Sequence, residues 1–518
     1  MKRADPAIAL TLFIASLALY VRTLAPSLLF GDSAEFQTIA STLGIGHPTG
    51  YPVYILLAKL FTFIPVHDVA YRVNFFSAFC AALTISLIYL ILRKLGTWII
   101  PALYGSLALA LAPLFWKHAT IAEIYTPSAA CLALIVFAVL HVKETNDPRW
   151  LFIAGLLGGL SLGIHTTVAL AAPAILIYLG ISFFFPLSAT NERRKMKDAA
   201  FALYGSLLGI AIFLSAFLLL DSIDSPAGYY NTVVRPSLSV WDMTPADFDS
   251  PLERLAFLYF PPQFKGQLFA VSFDQSLTRL TDFAVNASWN LLPALLGIIS
   301  LFIPRRDVPS RWREAVLLTL AFVAFLVFAV TYNVYDFYVF YIPALLILSI
   351  FFGLGISLVL EAVALIPKLP RAVPVGLGMV ILIAGFQPSL STISTSWQGR
   401  IPPWTDDWES YLYQYPDARR LEAEEIVNQL EDNAILFTDW DYAYDLYYVA
   451  HVLQGRTGMS FHETYPQEDV YQLADSAIAY IEANIDTRPI YFSERPSQLA
   501  NQFKITRTGS GLFRIERK

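Results

Sequence analysis

The stretch GDSAEFQTIASTLGIGHPTGYP, from Gly31 to Pro52, follows one apolar segment of the chain and precedes another. It places two carboxylates three residues apart, at Asp32 and Glu35, and adds His47 at the start of a turn rich in Pro and Gly. Ionisable groups at the edge of the hydrocarbon are costly, so they tend to be paired or functional. The stretch therefore predicts a polar site at the edge of a membrane domain.

The composition of the 518-residue chain is that of a polytopic membrane protein. Hydrophobic residues make up 56% and charged residues only 15%, whereas soluble domains carry about 25% charged residues. The net charge of -6 is small for this length and excludes the strongly basic surface of a nucleic-acid binder. Both cysteines, Cys80 and Cys131, lie in apolar runs, so no disulfide framework is indicated.

Runs of about 20 mostly apolar residues mark candidate membrane spans. Eleven such segments lie near residues 7–27, 72–92, 98–115, 121–142, 150–164, 166–185, 199–220, 289–303, 314–331, 338–364 and 372–390. The first is interpreted as a retained helix rather than a signal peptide, because no convincing cleavage site follows it. The apolar stretch 51–66 is interrupted by Lys59 and is expected to lie at the membrane interface.

Basic residues predict the orientation of these spans. With eleven spans, the loops rich in Lys and Arg all fall on one side, which the positive-inside rule makes cytoplasmic. The amino terminus is then cytoplasmic and the carboxy-terminal region extracytoplasmic, most simply in a prokaryotic plasma membrane. The basic positions are Lys2, Arg3, Arg93, Lys94, Lys143, Arg149, segment 193–197, Arg305, Arg306, Arg311, Arg313, Lys368 and Arg371.

A change of composition near residue 391 divides the chain into two predicted domains. Residues 1–390 form the transmembrane domain, with outer loops at 29–71 and 221–288. Residues 391–518 combine an amphipathic helical pattern with short apolar strands, which predicts a small extracytoplasmic α/β domain. Its segment TDWDYAYD is compatible with contact to a sugar or a peptide, and equally with a solvated acidic turn.

Polar residues from distant parts of the sequence face the same outer surface in this topology. They are Asp32, Glu35, His47, Arg72, Asn74, Glu123, His165 and Asp336. Structural interpretations remain open: Asp32 and Glu35 have the spacing of a helix capping box, Asp336 suits a helix cap, and Glu123 could simply pair with Lys117. The shared side favours a functional site over eight separate structural roles.

A carboxylate at the outer membrane edge can act as a general base, and Arg or His can hold phosphate oxygens. Together they suit sugar transfer from a polyprenyl-phosphate donor to an acceptor outside the cytoplasm. One base suits an inverting displacement, while Glu35 keeps open a retaining route with a second carboxylate about 5 Å away. No metal is required, because two carboxylates without a wider ligand set are a weak metal signal.

Seven segments occur in order over nearly the whole chain: GDSAEF, LGIGHPTGYPVY, RVNFFSA, AEIYTP, GLSLGIHTT, YNVYDFYVFYIP and LFTDWDYAYDLYYV. Together they resemble the GT-C superfamily of integral-membrane glycosyltransferases. Within it they resemble the prokaryotic family related to the eukaryotic transmembrane protein O-mannosyltransferase. That family often has two prolines after the histidine, and Thr49 replaces the second here.

The resemblance implies a mainly α, GT-C-like bundle with Asp32 as catalytic base and Glu35 as a second site carboxylate. The resemblance, or the position on the same outer side of the membrane, assigns donor- or substrate-binding roles to six further residues. They are His47, Arg72, Asn74, Glu123, His165 and Asp336. The implied donor is a membrane lipid, a polyprenyl-phosphate-linked mannose or another hexose or pentose. The implied acceptor is a protein or glycan outside the cytoplasm, and no cofactor is required.

The main alternative is a transporter or flippase for a lipid-linked sugar. Such a protein is expected to show inverted repeats and polar groups near the membrane midplane. A scaffold that only anchors the outer domain needs one or two spans rather than eleven. Asp32 separates these hypotheses, since only an enzyme loses turnover on Asp32→Asn while remaining folded.

Overall fold

The structure, a computed structural model, describes residues 4–145, 147–184, 192–304, 311–370, 372–466, 471–509 and 511–518. Among the basic positions used for orientation, Lys2, Arg3, Arg305, Arg306 and Arg371 lie outside these ranges. The described part is mainly α-helical, with one small sheet near the carboxy terminus.

Twenty α-helices carry the described chain, and most of the first sixteen are apolar. These sixteen are α1 Asp5–Arg22, α2 Gly31–Thr42, α3 Pro52–Thr62, α4 Val69–Lys94, α5 Ile99–Ala110, α6 Pro113–His118, α7 Tyr125–Thr145, α8 Arg149–Ser161, α9 Ala172–Phe184, α10 Glu192–Ile223, α11 Pro251–Tyr259, α12 Phe273–Asn286, α13 Ser288–Phe302, α14 Trp312–Thr331, α15 Ile342–Ala364 and α16 Ala372–Gly399. The remaining four are α17 Asp407–Gln414, α18 Ala418–Val427, α19 Trp440–Tyr447 and α20 Asp475–Asn484.

Six helical segments of the described chain are long and apolar enough to cross a membrane. They are Asp5–Arg22, Val69–Lys94, Tyr125–Val142, Met196–Ile223, Trp312–Thr331 and Phe337–Ala364. The bent pair Ala372–Gln387 and Ser389–Gly399 raises the number to seven if it forms one span. The chain is therefore a multi-pass membrane protein, but the predicted count of eleven spans is not confirmed.

Four of the predicted spans coincide with short helices, such as α5 and α8 with 12 and 13 residues. At 1.5 Å per residue, these helices are about 18–20 Å long, against a hydrocarbon thickness of about 30 Å. The apolar run at 98–115 overestimates the helix because Pro113 begins a separate helix, α6. The predicted interfacial segment at 51–66 is also a short helix, α3.

The carboxy-terminal region forms the predicted α/β domain around a five-stranded mixed sheet. Its strands are β1 Ile435–Thr438, β2 Ser460–Glu463, β3 Ile490–Phe492, β4 Phe503–Arg507 and β5 Phe513–Arg517. The strand order is β2-β1-β3-β5-β4, with β1 parallel to both neighbours and β5 antiparallel to both of its own. Residues of β1 are buried throughout, as a central parallel strand requires.

This domain packs directly on the membrane domain through α19 and α2. The hydroxyl of Thr38 donates to the carbonyl of Tyr444 at 3.1 Å, and the amide of Ala70 donates to the hydroxyl of Tyr448 at 3.1 Å. The fully buried Phe36 belongs to the same apolar cluster as these tyrosines. The carboxy-terminal domain therefore helps to fix the position of α2, which carries Asp32.

Candidate functional site

Asp32 lies in the first turn of α2, directly after a glycine that the backbone requires. Gly31 has φ +58°, a left-handed conformation that costs glycine little. The N-cap residue is Phe30 and no side chain caps the helix, so the capping-box interpretation of Asp32 and Glu35 is not observed. Asp32 keeps 43% of its side chain exposed, and the helix dipole favours its negative charge.

Glu35 has the opposite environment, because its side chain is fully buried and holds His47. The backbone amide of His47 donates to Glu35 Oε1 at 2.8 Å, and Nδ1 of the same ring bonds Oε2. Tyr444, from the carboxy-terminal domain, donates its hydroxyl to Glu35 Oε1 at 3.1 Å. Glu35 therefore positions His47 beside Asp32, whose Oδ2 lies 3.9 Å from His47 Nε2.

The hydrogen bonds of His47 fit a doubly protonated ring. Tyr51 donates its hydroxyl to the carbonyl of Pro48 at 2.7 Å and lies 3.1 Å from His47 Nε2, which can therefore donate to it. Desolvation lowers the pKa of His47, but the carboxylates of Glu35 and Asp32 more than offset this and raise it to about 10. Desolvation raises the pKa of Glu35, and His47 opposes that rise. The pair thus places a positive charge next to Asp32.

A cavity lies in front of Asp32 and gathers three of the predicted site residues. Its room for water-sized groups is about 220 Å³, it is partly open to solvent, and Asp32, Glu123 and Asp336 line it. It therefore has room for a small ligand only. Residues from four distant parts of the chain complete the lining, including Lys117 and, from the carboxy-terminal domain, Asp441.

Two acids of this cavity, Glu123 and Asp336, have a raised pKa. Burial raises the pKa of Glu123 well above its usual range, and the charges of Asp32 and Asp336 add to the effect. Burial likewise raises the pKa of Asp336, with Asp32 as the next cause. Protonated carboxyls donate hydrogen bonds and carboxylates accept them. The cavity can therefore bind several hydroxyl groups of one ligand.

Two structural alternatives for these acids are not observed. Asp336 makes no side-chain cap to the helical turn that it precedes; its Oδ2 accepts a hydrogen bond of 3.4 Å from the Tyr125 hydroxyl. Lys117 does not pair with Glu123, because it is bound by Glu409 of α17 at 2.7 Å. Both acids thus remain available on the cavity wall.

A second, apolar cavity adjoins the first and contains His165. It is narrow, with about 10 Å³ of room for water-sized groups, and is lined by Phe325, Phe328 and Phe340 among others, sharing Tyr125 and Val339 with the first cavity. The His165 ring stacks on Phe340 at 6.0 Å and bonds the Thr167 hydroxyl at 2.5 Å through Nδ1. Burial, with the charge of His47 as a second cause, lowers the pKa of His165 to about 3. His165 is therefore a neutral residue beside the acidic cavity.

Arg72 is placed differently from the sequence-based expectation. All three guanidinium nitrogens donate to backbone carbonyls: Nε to Val66 at 2.7 Å, and the other two to Thr62 at 2.9 Å and His67 at 2.7 Å. Arg72 is not among the residues that line either cavity. It closes the connection between α3 and α4, because it binds the carbonyl of the last residue of α3 and two carbonyls of the loop that follows.

Asn74 also supports the site from behind rather than lining it. Its side chain is fully buried, accepts from Gln37 Nε2 at 2.8 Å and donates to the carbonyl of Ala25 at 3.0 Å. Gln37 in turn accepts from the amide of Leu29 at 3.0 Å. These bonds fasten α2 to the segment before it, so Asn74 positions the helix of Asp32.

Several cavity residues were not among the predicted site residues. Lys117 and His118 precede Glu123 in a turn that the sequence placed on the outer side, so their position was readable. Glu409, Asp441 and Tyr444 come from the carboxy-terminal domain, and only the acidic and aromatic segment TDWDYAYD pointed to that region. Nothing in the sequence singles out Glu409.

Asp32, Glu35 and His47 are also a set that could hold a metal ion, since one ligand atom of each lies within 4.8 Å of the others. Glu35 Oε1, however, already accepts from the His47 amide and the Tyr444 hydroxyl, and Oε2 bonds the His47 ring. An ion would have to replace the Glu35–His47 bond. Hydrogen bonds account for the positions of Glu35 and His47, and the absence of a required metal stays a prediction.

Glu35→Gln is expected to lower the pKa of His47 from about 10 to below its ordinary value of 6.5. Desolvation, which lowers this pKa, is then opposed only by the charges of Asp32 and, more weakly, Glu123. The measurement is a pH titration of the histidine ring resonances by NMR between pH 5 and 10. Wild-type His47 should stay charged from pH 6 to pH 9, whereas the variant's ring should be neutral at pH 7.5. An unchanged titration would refute this account of the pair, and Glu425→Gln on an exposed helix face is the control.

The fold of the chain, a helical membrane bundle with a small sheet, is similar to that of solved membrane proteins of GT-C architecture. ArnT from Cupriavidus metallidurans, solved with undecaprenyl phosphate bound, is similar over 99% of this chain and 98% of its own, with a TM-score of 0.56 and 12% identity. The oligosaccharyltransferase of Archaeoglobus fulgidus is similar over 93% of this chain and 69% of its own, with a TM-score of 0.53 and 12% identity. At such identities the likeness shows the fold alone, and it confirms the predicted GT-C architecture.

The sequence is similar to a particular group of these proteins. Residues 32–184 match the family model of the protein O-mannosyl-transferase TMEM260 N-terminal domain, a match that begins at Asp32. The mouse protein O-mannosyl-transferase TMEM260 is 29% identical over 162 residues, or 30% of this chain and 23% of that protein. The Dictyostelium discoideum protein of that name is 27% identical over 235 residues, or 42% of this chain and 28% of that protein. The chain thus spans about a quarter of the length of these relatives.

Proposed function

We propose that the protein is a glycosyltransferase that moves a sugar from a polyprenyl-phosphate donor to an acceptor on the outer side of the membrane. The observation that carries the proposal is the accessible carboxylate of Asp32 on the wall of a cavity, at the edge of an apolar bundle. The relatives named as protein O-mannosyl-transferases make mannose the first sugar to test. The transporter alternative has no support among these comparisons.

The proposed reaction uses Asp32 as a general base. Asp32 takes the proton from an acceptor hydroxyl, whose oxygen then bonds the anomeric carbon of the donor sugar. The bond between that carbon and the phosphate oxygen breaks, and polyprenyl phosphate leaves with the electron pair. His47, held by Glu35, places its Nε2 3.9 Å from Asp32 Oδ2 and so brings a positive charge beside the proposed base.

Burial of Glu35 supports an inverting displacement. A retaining reaction needs a second carboxylate that reaches the anomeric carbon. The Glu35 side chain is fully buried and is engaged by His47 and Tyr444, so it is not accessible to a sugar in the cavity. The single accessible carboxylate of the pair therefore supports one displacement and an inverted product, without a metal or cofactor.

The neighbouring apolar cavity supports a lipid donor. It lies between helices that are apolar enough to span a membrane, and its phenylalanines adjoin the acidic cavity. A polyprenyl chain against this wall places its phosphate at the boundary between the two cavities. The similarly folded ArnT, described as bound to undecaprenyl phosphate, agrees with a lipid of this kind. The carboxy-terminal domain and the site would face outward in a prokaryotic plasma membrane, where a protein or glycan serves as acceptor.

The test is sugar release and transfer from a panel of radiolabelled polyprenyl-phosphate sugars by the full chain in nanodiscs. Mannosyl, glucosyl and pentosyl donors are compared, each with Ser- and Thr-rich peptides and with glycan acceptors. Transfer from one donor, with inverted anomeric configuration of the product by NMR, is expected. Movement of intact lipid-linked sugar across proteoliposomes without cleavage would contradict the proposal and favour a flippase.

A further inference from the structure

The cavity in front of Asp32 is rich in acids and poor in cations. Asp32, Glu123, Asp336 and Asp441 line it together with Glu409. Lys117 is the one lysine or arginine among the described lining residues. Carboxylates at this density repel a phosphate, so a phosphate that enters here needs a cation within reach. Lys117 is the residue that can supply it, because backbone carbonyls hold the guanidinium of Arg72 and the ring of His47 is engaged by Glu35 and Tyr51.

The ammonium group of Lys117 is bound by a carboxylate in the structure. Its Nζ lies 2.7 Å from Glu409 Oε1 and 2.9 Å from Oε2, and both side chains are about one-sixth exposed, at 16% and 17%. Glu409 belongs to α17, so the pair joins the carboxy-terminal domain to the cavity wall. A second contact, 3.3 Å between the hydroxyls of Thr120 and Tyr413, lies beside it. A carboxylate thus occupies the position that a donor phosphate needs.

The two partners of this ion pair are not equally dependent on each other. Glu409 Oε2 also accepts from the backbone amide of Asp406 at 3.1 Å, in the capping box of α17. When Lys117 turns to another anion, Glu409 keeps this partner and gains water. Among the described residues, Lys117 has no acceptor besides Glu409, so its ammonium group follows whichever anion is present.

His118 adds an independent sign that this wall binds a ligand. Its side chain is 4% exposed, both ring nitrogens lack a hydrogen-bond partner, and it borders the same cavity. A buried polar group without a partner costs free energy. Burial, with Lys117 as the second cause, lowers the pKa of His118 to about 3, so the ring is neutral and keeps one N–H to donate.

We propose that Lys117 binds the phosphate of the lipid-linked donor, and that Glu409 of the carboxy-terminal domain occupies Lys117 until the donor arrives. The identity of the phosphate as a donor rests on the function proposed above. Donor binding then exchanges one anion for another at Lys117, and this exchange breaks one of the two polar contacts that hold α17 on the cavity wall. The carboxy-terminal domain thereby competes with the donor for the same cation.

The experiment measures dissociation constants of the full chain in nanodiscs for three probes: undecaprenyl phosphate, undecaprenol and inorganic phosphate. Lys117→Gln is expected to weaken undecaprenyl phosphate binding about tenfold or more. Lys117→Arg should bind nearly as wild type, and undecaprenol binding should not change. Glu409→Gln is expected to tighten undecaprenyl phosphate binding severalfold, because it removes the competitor. Lys504→Gln and Glu516→Gln, from an exposed pair joined at 3.0 Å, are the matched controls.

Opposite effects of the two variants separate a binding role from a structural one. A purely structural ion pair weakens binding in both variants and lowers both melting temperatures, and that result overturns the proposal. If inorganic phosphate binds as tightly as undecaprenyl phosphate and its binding depends on Lys117, the site is one for free phosphate. Normal sugar transfer with unchanged lipid affinity in Lys117→Gln refutes the role of Lys117 and leaves the proposed function standing. If undecaprenyl phosphate binding depends on Lys117 but the transfer assay described above shows no sugar release, the proposed function is refuted and the phosphate site remains.

Discussion

Asp32→Asn is expected to lower sugar transfer by about 10²–10⁴-fold, the usual contribution of a general base. The amide cannot take the proton of the acceptor hydroxyl, yet it fills the same volume in the first turn of α2. Asp32 makes no helix cap and is 43% exposed, so the fold should not depend on its charge. Single-turnover transfer from a radiolabelled donor measures the effect, and the thermal melt should match wild type.

Two variants in the same cavity serve as controls for this loss. Glu123→Gln and Asp336→Asn replace carboxyl groups on the same wall by amides of similar size. If these two acids only bind hydroxyl groups of the ligand, each variant should lose about 1–2 kcal/mol of transition-state stabilisation, less than Asp32→Asn. Donor affinity should fall in these two and stay within twofold in Asp32→Asn. If Asp32→Asn retains wild-type turnover while Glu123→Gln loses it, Glu123 replaces Asp32 as the base.

The convergence of Asp32, Glu123 and Asp336 was predictable because it depends only on topology. Each residue follows or precedes an apolar run, and the alternation of sides put all three at one surface. Hydropathy also predicted the helical bundle. Its count of eleven spans is not confirmed, and a running average does not detect, for example, that Pro113 breaks the run 98–115. The same average cannot tell a helix of 12 residues from one that crosses the membrane.

The errors in the site came from local polar geometry and from contacts distant in sequence. Arg72 has the charge and the side expected of a phosphate ligand, but its donors bind three backbone carbonyls between the end of α3 and the start of α4. Whether an arginine binds backbone carbonyls in this way depends on the path of the backbone, which cannot be predicted from the types of the residues. Tyr444 contacts Glu35 although the two residues are 409 positions apart in the sequence, and no sequence pattern predicts such a contact. Glu35 accordingly changes from a candidate nucleophile to the residue that positions His47.

Asp445→Asn is expected to destabilise the carboxy-terminal domain by about 3–5 kcal/mol, because it leaves a buried guanidinium without its counter-charge. Arg419 of α18 lies 2.5 Å from Asp445 Oδ2, and the two side chains are 4% and 2% exposed. Burial raises the pKa of the Asp445 carboxyl, and Arg419 opposes that rise by favouring the charged form. Chemical denaturation of the full chain, followed by hydrogen exchange in α19, measures the loss.

Activity should fall with this stability, since Arg419 also holds the helix that reaches the site. Its guanidinium donates to the carbonyl of Asp441 at 2.6 Å, and α19 carries both Asp441 to the cavity and Tyr444 to Glu35. The double variant Arg419→Met/Asp445→Leu removes both charges at similar volume and should regain most of the stability. If it also regains transfer, the ion pair serves only to place α19. If stability returns without transfer, the loss comes from the unanchored Asp441 carbonyl and the displaced start of α19.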